Sequence, residues 1–439
     1  MLQFKASPMD EILYTEIINC TECRSKKPLA KLPATKSQDN HTASVWDGGS
    51  WNNVRHGTKI CKACGCRFKL NYAAKCNSKK NIMMQEHLKH NTIILLNPGL
   101  GFTYSYMILL WNRICRANVS FLAEASSILL SCPDATVGSP SRRGGKQHMQ
   151  DDGLARWISQ LIFIYLRYQE GNYTFNVDDP VPVKDKEYDV KLKDTHIIFN
   201  EPEKDPLLLK KYQPLHVVTD GNIPLARKIC DDERVGLKRL QGRPKSKKKI
   251  SRCAAVSEHE NINTSRVIIG GLFVTVNMQT ARGGHGNQIL QMAEMKNSEN
   301  KAYKISLLKA LRSKKVGRKH IRVGKYAHDC GCTLIDDIEG SLVEKVYLDG
   351  YHGRKHKCKT PLILKEKFPR LNSVAAEQLW GRMEGLQKTI SCLPRPRYRM
   401  FLKHYCKWRN WYTSKKCRND LNPCVSKRRV IKRFKKRVQ

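Results

Sequence analysis

The heptapeptide His216-Val217-Val218-Thr219-Asp220-Gly221-Asn222 decides the fold class of this chain. Together with the preceding Leu215 it forms a short apolar run that Gly and Asn bring to an end, and this pattern predicts a buried strand over residues 215–220. Asp220 is therefore expected where a strand ends, on a rigid scaffold.

Outward from this strand, the sequence alternates between strand and helix patterns. Residues 267–276 predict a second strand with Gly270-Gly271 at its middle, and residues 289–311 are expected to be mostly helical. Asp329 is expected to end a further strand-like segment. Strands, helix, strand and helix in this order predict an α/β layer.

Three acidic residues lie in three differently built segments. Asp220 follows the first strand, Asp329 lies in Tyr326-Ala327-His328-Asp329-Cys330, and Glu377 lies in a predicted helix. Enzymes that cut or join phosphodiesters with two divalent cations need such carboxylates to hold the ions. Most of the 39 acidic residues are nevertheless expected on the surface. The helix that carries Glu377 is predicted from an apolar stripe formed by Ala375, Leu379, Met383 and Leu386.

The charge of the chain points to a polyanionic partner. Lys and Arg total 80 against 39 acidic residues, a formal charge of +41 over 439 residues. Such a charge favours nucleic acid and makes binding steeply dependent on salt. The most apolar stretch, residues 92–111, is interrupted by Asn97-Pro98-Gly99, and the N-terminus carries acidic residues. We therefore expect a soluble intracellular protein without a membrane span or secretory signal.

The 17 cysteines include pairs with the Cys-x-x-Cys spacing of metal sites. Cys20 with Cys23 and Cys61 with Cys64 give four sulfur ligands in two short turns, the grouping that tetrahedral Zn(II) requires. The gap between the pairs is long, which a zinc ribbon or treble clef with an inserted loop tolerates. Cys66 and Cys76 are possible substitute ligands, and free cysteines in an ordinary core are the alternative.

A helical segment follows the cysteine-rich one. Residues 104–115, 120–130 and 153–168 predict helices, with the polar break Arg116-Ala117-Asn118 between the first two. This helix pair could read DNA as a helix-turn-helix, but packing alone explains the same spacing.

Other polar groups leave two interpretations open. Asp349-x-x-His352, followed by His356 and Cys358 in a basic loop, could bind metal or orient DNA, or could be a solvated turn. Cys230, Cys253 and His259 are poorly spaced for a further zinc site.

Two basic segments are candidates for contacts with DNA. Gly242-Arg243-Pro244-Lys245 resembles half of an AT-hook, and the C-terminal tail is rich in Lys and Arg. A surface insertion, nuclear import and, in the tail, helix core are the alternatives. The DNA-binding candidates are Arg243, Lys245, Lys247, Lys248, Lys249, Arg428, Arg429 and Arg433.

The succession of short motifs in the second half closely resembles the Kyakuja/Dileera/Zisupton (KDZ) transposases. Those motifs, in order, are Val218-Thr219-Asp220-Gly221-Asn222, Gly271-Leu272-Phe273-Val274-Thr275, Tyr326-Ala327-His328-Asp329-Cys330, Asp349-x-x-His352 and Asn372-x-x-x-Ala376-Glu377-Gln378. Residues 20–72, with Asn118-Val119-Ser120-Phe121, look like the cysteine-cluster module that accompanies these transposases.

The resemblance implies an α/β, RNase H-like catalytic domain, a mixed sheet flanked by helices, preceded by a small zinc-binding module and a helical segment. It implies a DDE triad in which Asp220 and Asp329 bridge a pair of Mg(II) or Mn(II) ions and Glu377 completes the second site. Asp349 and His352 would support that site. Double-stranded DNA, a homodimer or larger synaptic assembly and the nucleus follow as partner, assembly and location.

A domesticated, catalytically inactive DNA- or chromatin-binding zinc protein derived from a transposon is the alternative function, because this chain is compact and lacks the cysteine-and-histidine cluster that often follows the first Asp.

The expected organisation is a series of five segments. The segments are a zinc module over residues 1–85, a helical, possible DNA-binding segment over 86–170, a connector over 171–211, the DDE domain over 212–394 with a basic insertion at 238–249, and a basic tail over 395–439.

Overall fold

A computed structural model gives the architecture as two compact units, residues 1–185 and 186–439, and each is described by itself. The described residues are 12–21, 23–25, 27–32, 41–74, 81–83, 92–131, 151–182, 184–185, 188, 195–201, 213–222, 271–278, 287–295, 301–349 and 371–418.

The first unit contains two small sheets. The first has the order β1-β4-β5-β6-β7 and is antiparallel throughout. The second has the order β3-β2-β9-β8, and its one parallel pairing joins β2 to β9. The strands are β1 (Ala30–Lys31), β2 (His41–Trp46), β3 (Trp51–His56), β4 (Lys59–Ile60), β5 (Arg67–Phe68), β6 (Tyr72–Ala74), β7 (Asn81–Met83), β8 (Ile93–Asn97) and β9 (Leu100–Thr103).

Among the described residues of this unit are three helices: α1 (Tyr104–Ala117), α2 (Phe121–Ser131) and α3 (Asp151–Gln169). Thr103 caps the start of α1, and Asn118 ends it in the left-handed conformation. The buried carboxylate of Glu124 on α2 accepts hydrogen bonds from Tyr106 and Arg113 of α1, at 2.9 Å each. The predicted helices are confirmed within two residues at each end.

The second unit is built around a six-stranded mixed sheet with the order β10-β13-β12-β11-β16-β17. Neighbours are antiparallel from β10 to β11, whereas β11, β16 and β17 run parallel to one another. A separate hairpin pairs β14 with β15. The strands are β10 (Thr195–Phe199), β11 (Leu215–Asn222), β12 (Gly271–Asn277), β13 (Ile289–Met295), β14 (Lys315–Val316), β15 (Lys319–His320), β16 (Val323–His328) and β17 (Lys345–Leu348).

In the described part of this unit, five helices accompany the sheet: α4 (Lys301–Arg312), α5 (Ile335–Ile338), α6 (Ala375–Met383), α7 (Gln387–Ile390) and α8 (Arg395–Arg418). Leu308 and Leu311 of α4 pack with Leu215 and Val217 of β11 and Tyr326 of β16 in one buried cluster. This cluster holds α4 against one face of the sheet. The α/β character predicted from the sequence is confirmed.

The prediction that residues 289–311 are mostly helical is wrong for its first part. Ile289–Met295 is a strand whose seven residues are all buried, and the described helix is Lys301–Arg312. Both faces of this strand are covered, so the sequence lacks the alternation by which a half-exposed strand is identified.

Of the second predicted strand, residues 267–270 lie outside the described residues. The described strand runs from Gly271 to Asn277. Gly271 has φ +138°, and a Cβ there would lie 2.7 Å from the carbonyl oxygen of Asn222. Only glycine fits where β12 meets the end of β11.

The first part of the C-terminal tail is a core element of the second unit. Helix α8 packs against β10 and β13, and Arg399 is 1% exposed. Its guanidinium donates to the buried carboxylate of Glu294 on β13 at 2.6 Å and to the carbonyl of Tyr188 at 2.7 Å. The buried aromatics Tyr398 and Tyr405 of this helix agree with the helix-core interpretation.

We predict that Arg399→Met destabilises the second unit by about 3–5 kcal/mol, because it leaves the Glu294 carboxylate buried without its cation. The matched control is Lys407→Met on the same helix, since Lys407 pairs with Glu201 in a partly exposed bridge. That change should cost at most about 1 kcal/mol. Urea unfolding measures both, and equal effects of the two variants would contradict the prediction.

Candidate metal centres

Four cysteines converge in the first unit. The sulfurs of Cys20 and Cys64 lie 3.6 Å apart, as do those of Cys23 and Cys61, and all four sulfurs lie within 4.8 Å of one another. A tetrahedral zinc ion with Zn–S bonds of about 2.3 Å requires sulfurs roughly 3.8 Å apart. The distances and the donor set therefore fit a structural zinc.

Each cysteine pair is followed by a residue with positive φ. These are Arg24 after Cys23, with φ 53°, and Gly65 after Cys64, with φ 70°. A residue with positive φ turns the chain back on itself, so that backbone N–H groups can point towards a cysteine sulfur. The N–H of Cys64 is the main cause that lowers the pKa of Cys61 to about 7.

The cluster cannot carry four thiolates without a cation. The N–H of Cys66 lowers the pKa of Cys64, but burial and the neighbouring thiols of Cys20, Cys61 and Cys23 outweigh it and raise that pKa to about 12. A divalent metal removes this mutual repulsion, because it binds the thiolate form. The backbone therefore favours the thiolate of Cys61, whereas its surroundings favour the thiol of Cys64.

Cys66 lies outside this group. It is buried and donates its S–H to the carbonyl oxygen of Ala74 at 3.2 Å. The other possible substitute, Cys76, lies outside the described residues.

The long gap between the two cysteine pairs is filled by folded structure. Between Cys23 and Cys61 the chain forms β1, then the β2–β3 hairpin, which pairs with β9 in the other sheet, and then β4. The inserted segment therefore belongs to a second core and is compatible with one metal site.

The register of two neighbouring parallel strands brings Asp220 and Asp329 to adjacent positions. The register pairs Val217 with Tyr326 and Val218 with Ala327, and its continuation places Asp220 opposite Asp329. Asp329 is the first residue after β16. Because adjacent strands are about 4.8 Å apart, two carboxylates in this position can share a metal ion.

Asp329 has an environment that favours its ionised form. Burial raises its pKa, but His328, Lys304 and the N–H of Cys330 oppose this and hold the pKa well below its ordinary value. The Cys330 N–H donates to Asp329 Oδ1 at 2.6 Å, and Nδ1 of His328 contacts the same oxygen. His328 is itself fixed by stacking on Tyr326.

Asp349 continues the same row. It directly follows β17, whose Leu348 pairs with His328, so the register sets Asp349 opposite Asp329. Its N–H donates to the carbonyl of His328 at 3.4 Å, and the residue is 1% exposed. For Asp349 this burial disfavours a solvated turn.

Glu377 lies on a helix that packs against β11 and β12, in the first turn of α6. The chain enters α6 through Asn372, whose N–H donates to the carbonyl of Met278, and Met278 in turn donates to the carbonyl of His216. The start of α6 is thus fixed near the start of β11, whereas Asp220 lies four residues farther along that strand. The register brings the aspartates together; it does not fix the distance from them to Glu377.

Several predicted site residues lie outside the described residues. They are His352, the basic-insertion residues Arg243, Lys245, Lys247, Lys248 and Lys249, the tail residues Arg428, Arg429 and Arg433, and the weaker candidates Cys230, Cys253, His259, His356 and Cys358.

Sequence reasoning missed Lys304. It is 7% exposed on α4 and contributes to the low pKa of Asp329. The sequence carries no signal for this role, because a lysine within a predicted helix is ordinarily on the solvent side.

Comparison with known proteins gives no match to a family model, to a curated protein or to a solved structure. The likeness to KDZ transposases therefore remains a hypothesis. Among the helices of the described residues, none combines the length and apolar character needed to cross a bilayer.

We predict that the purified protein holds one zinc ion in the cysteine cluster, and that Cys23→Ser or Cys61→Ser loses it, because serine cannot supply a thiolate. Cys66→Ser is the matched control, since serine can keep the hydrogen bond to Ala74. Metal content is measured by mass spectrometry of the desalted protein. Loss of zinc from Cys66→Ser but not from Cys23→Ser would refute this ligand set.

We also predict that Asp349→Asn weakens Mn(II) binding to the zinc-loaded protein by about 10–100-fold, because Asp349 lies beside Asp329 in the row of carboxylates. Calorimetry or electron paramagnetic resonance measures the affinity. Asp337→Asn, which alters a partly exposed carboxylate paired with Lys301, is the control and should leave it unchanged. Equal affinity of Asp349→Asn and wild type would exclude Asp349 from the metal site.

Proposed function

We propose that this protein is a DNA transposase of the KDZ family, whose RNase H-like domain cleaves DNA at transposon ends and joins the ends to target DNA. The adjacency of Asp220 and Asp329 at the ends of two parallel strands is the observation that carries the proposal. It is the placement that the resemblance implies for the first two acids of a DDE triad.

The surrounding sheet supports the same proposal. A mixed sheet flanked by helices is what an RNase H-like domain requires, and α4, on a face of the sheet, precedes the strand that ends at Asp329. The third acid, Glu377, comes from the later helix α6, which packs against the strand of Asp220. The mixed sheet, helix α4 and the position of Glu377 together support a DDE domain more strongly than a single carboxylate would alone.

In this proposal the carboxylates hold the reacting groups in place. A pair of Mg(II) or Mn(II) ions, when bound, would activate the attacking oxygen and stabilise the leaving one. Asp220 and Asp329 would bridge the ions, and Glu377 would complete the second position. His328 and Lys304 would keep Asp329 ionised and oriented.

Two displacements at phosphorus follow. In the first, water forms a new P–O bond at the transposon end and the P–O3′ bond breaks, which frees a 3′-hydroxyl. In the second, that hydroxyl attacks a phosphodiester of the target, and the target strand leaves with its own 3′-hydroxyl. Neither step needs an oxidant or a further cofactor.

The charge of +41 supports DNA as the partner, since phosphate contacts dominate such binding. A homodimer or larger synaptic assembly, nuclear location and a structural zinc in the first unit belong to the same proposal, because two DNA ends must be held together before they are joined.

The test uses purified protein, Mn(II) and DNA that carries the terminal repeats of the element. Wild type should nick this DNA, and Asp220→Asn, Asp329→Asn and Glu377→Gln should each abolish nicking without loss of DNA binding. Asp337→Asn is the control and should remain active.

Binding without cleavage under every divalent metal would overturn the enzyme proposal in favour of a domesticated DNA- or chromatin-binding protein. Absence of any DNA binding would refute both functions.

A further inference from the structure

The second unit carries a dense positive surface that the sequence motifs did not single out. Residues 309–322, the basic hairpin, contain seven Lys and Arg and no acidic residue. The turn and its two short strands present Lys314, Lys315, Arg318 and Lys319 as exposed side chains.

The basic hairpin is a fixed part of the fold. Lys315 pairs with His320 and Val316 with Lys319, around Gly317 in the left-handed conformation at φ 62°. Ile321, at the end of the hairpin, is 1% exposed in the main core cluster, and its N–H donates to the carbonyl of Lys314 at 3.0 Å. Its charges are therefore presented on an anchored framework.

The charges at the tip of the basic hairpin are not neutralised within the described part of the chain. Arg322 pairs with Glu344 at 2.7 Å, and Arg312 donates to the carbonyl of Ser341. Across the described residues, no carboxylate forms an ion pair with any of the four exposed side chains. Like charges held this close repel one another, and a bound polyanion would relieve the repulsion.

We propose that the basic hairpin binds the phosphate backbone of double-stranded DNA, at a surface separate from the carboxylate row. It directly precedes β16, whereas Asp329 directly follows that six-residue strand, so about 20 Å of strand separates them. The choice of duplex DNA rests on the proposed function and on shape. The major groove of B-DNA admits a two-stranded ribbon, but that of duplex RNA is too deep and narrow.

The test compares two quadruple variants of the full-length, zinc-loaded protein. The hairpin variant carries Lys314→Gln, Lys315→Gln, Arg318→Gln and Lys319→Gln. The control variant loses the same charge at exposed positions elsewhere, with Lys27→Gln, Arg55→Gln, Lys184→Gln and Lys388→Gln. Circular dichroism and zinc content must match wild type in both.

Affinity for a random-sequence 30-base-pair duplex is measured between 50 and 200 mM salt. Each lost phosphate contact reduces the slope of log K against log salt by about 0.9, so the hairpin variant should lose about 3.6 if all four side chains make contact. The control variant should lose clearly less. Equal slopes for the two variants would overturn the proposal.

Duplex RNA of the same length is the second ligand. Equal, hairpin-dependent affinity for RNA would overturn the assignment to DNA. The outcome is separable from that of the proposed function. Hairpin-dependent DNA binding without cleavage would support the basic hairpin as a DNA-binding surface and refute the transposase proposal. Cleavage with hairpin-independent DNA binding would support the transposase proposal and refute the role of the basic hairpin.

Discussion

The parallel pairing of β11 with β16 is the constraint on which the candidate catalytic centre depends. It is fixed from the core side, where Val217 and Tyr326 pack in one cluster and the hydroxyls of Thr219 and Tyr326 share a hydrogen bond at 2.6 Å. A slip of one residue would turn the apolar side chains of β11 to the opposite face of the sheet. The core packing that prevents this slip also aligns Asp220 with Asp329. The same contacts therefore stabilise the sheet and set the geometry of the candidate site.

The first unit depends on a different constraint. Its antiparallel sheet has strands of two or three residues, and its core around Phe68 is formed largely by the cysteines themselves. Such a core buries little apolar surface, and a metal ion bound by the four cysteines would contribute free energy that this core lacks. The inserted β2–β3 hairpin can be long because it is stabilised by pairing with β9, independently of the metal.

Much of this fold follows from local sequence pattern, and the rest depends on partners distant in the chain. Helices α1 to α3 were predictable because their apolar residues repeat with a clear period, and the strand before Asp220 was predictable because its short apolar run ends at Gly and Asn. Strand β13 was not, since burial on both faces removes that period. The burial of Arg399 could not be predicted from the sequence either. A basic helix suggests a solvated surface, and only its pairing with Glu294, 105 positions away in sequence, lets this arginine enter the core.

The same limit applies to the site, and it gives Asp349 its importance. The sequence shows Asp329 and Asp349 as parts of separate motifs, 20 residues apart, and only the β16–β17 register makes them neighbours. Two carboxylates side by side, that of Asp349 buried and that of Asp329 largely shielded from solvent, repel each other unless cations intervene. His328 and Lys304 supply positive charge or hydrogen bonds at Asp329, which tends to keep this acid ionised. A divalent ion between the strands would serve both aspartates, and this physical requirement links the row of carboxylates to metal-dependent chemistry.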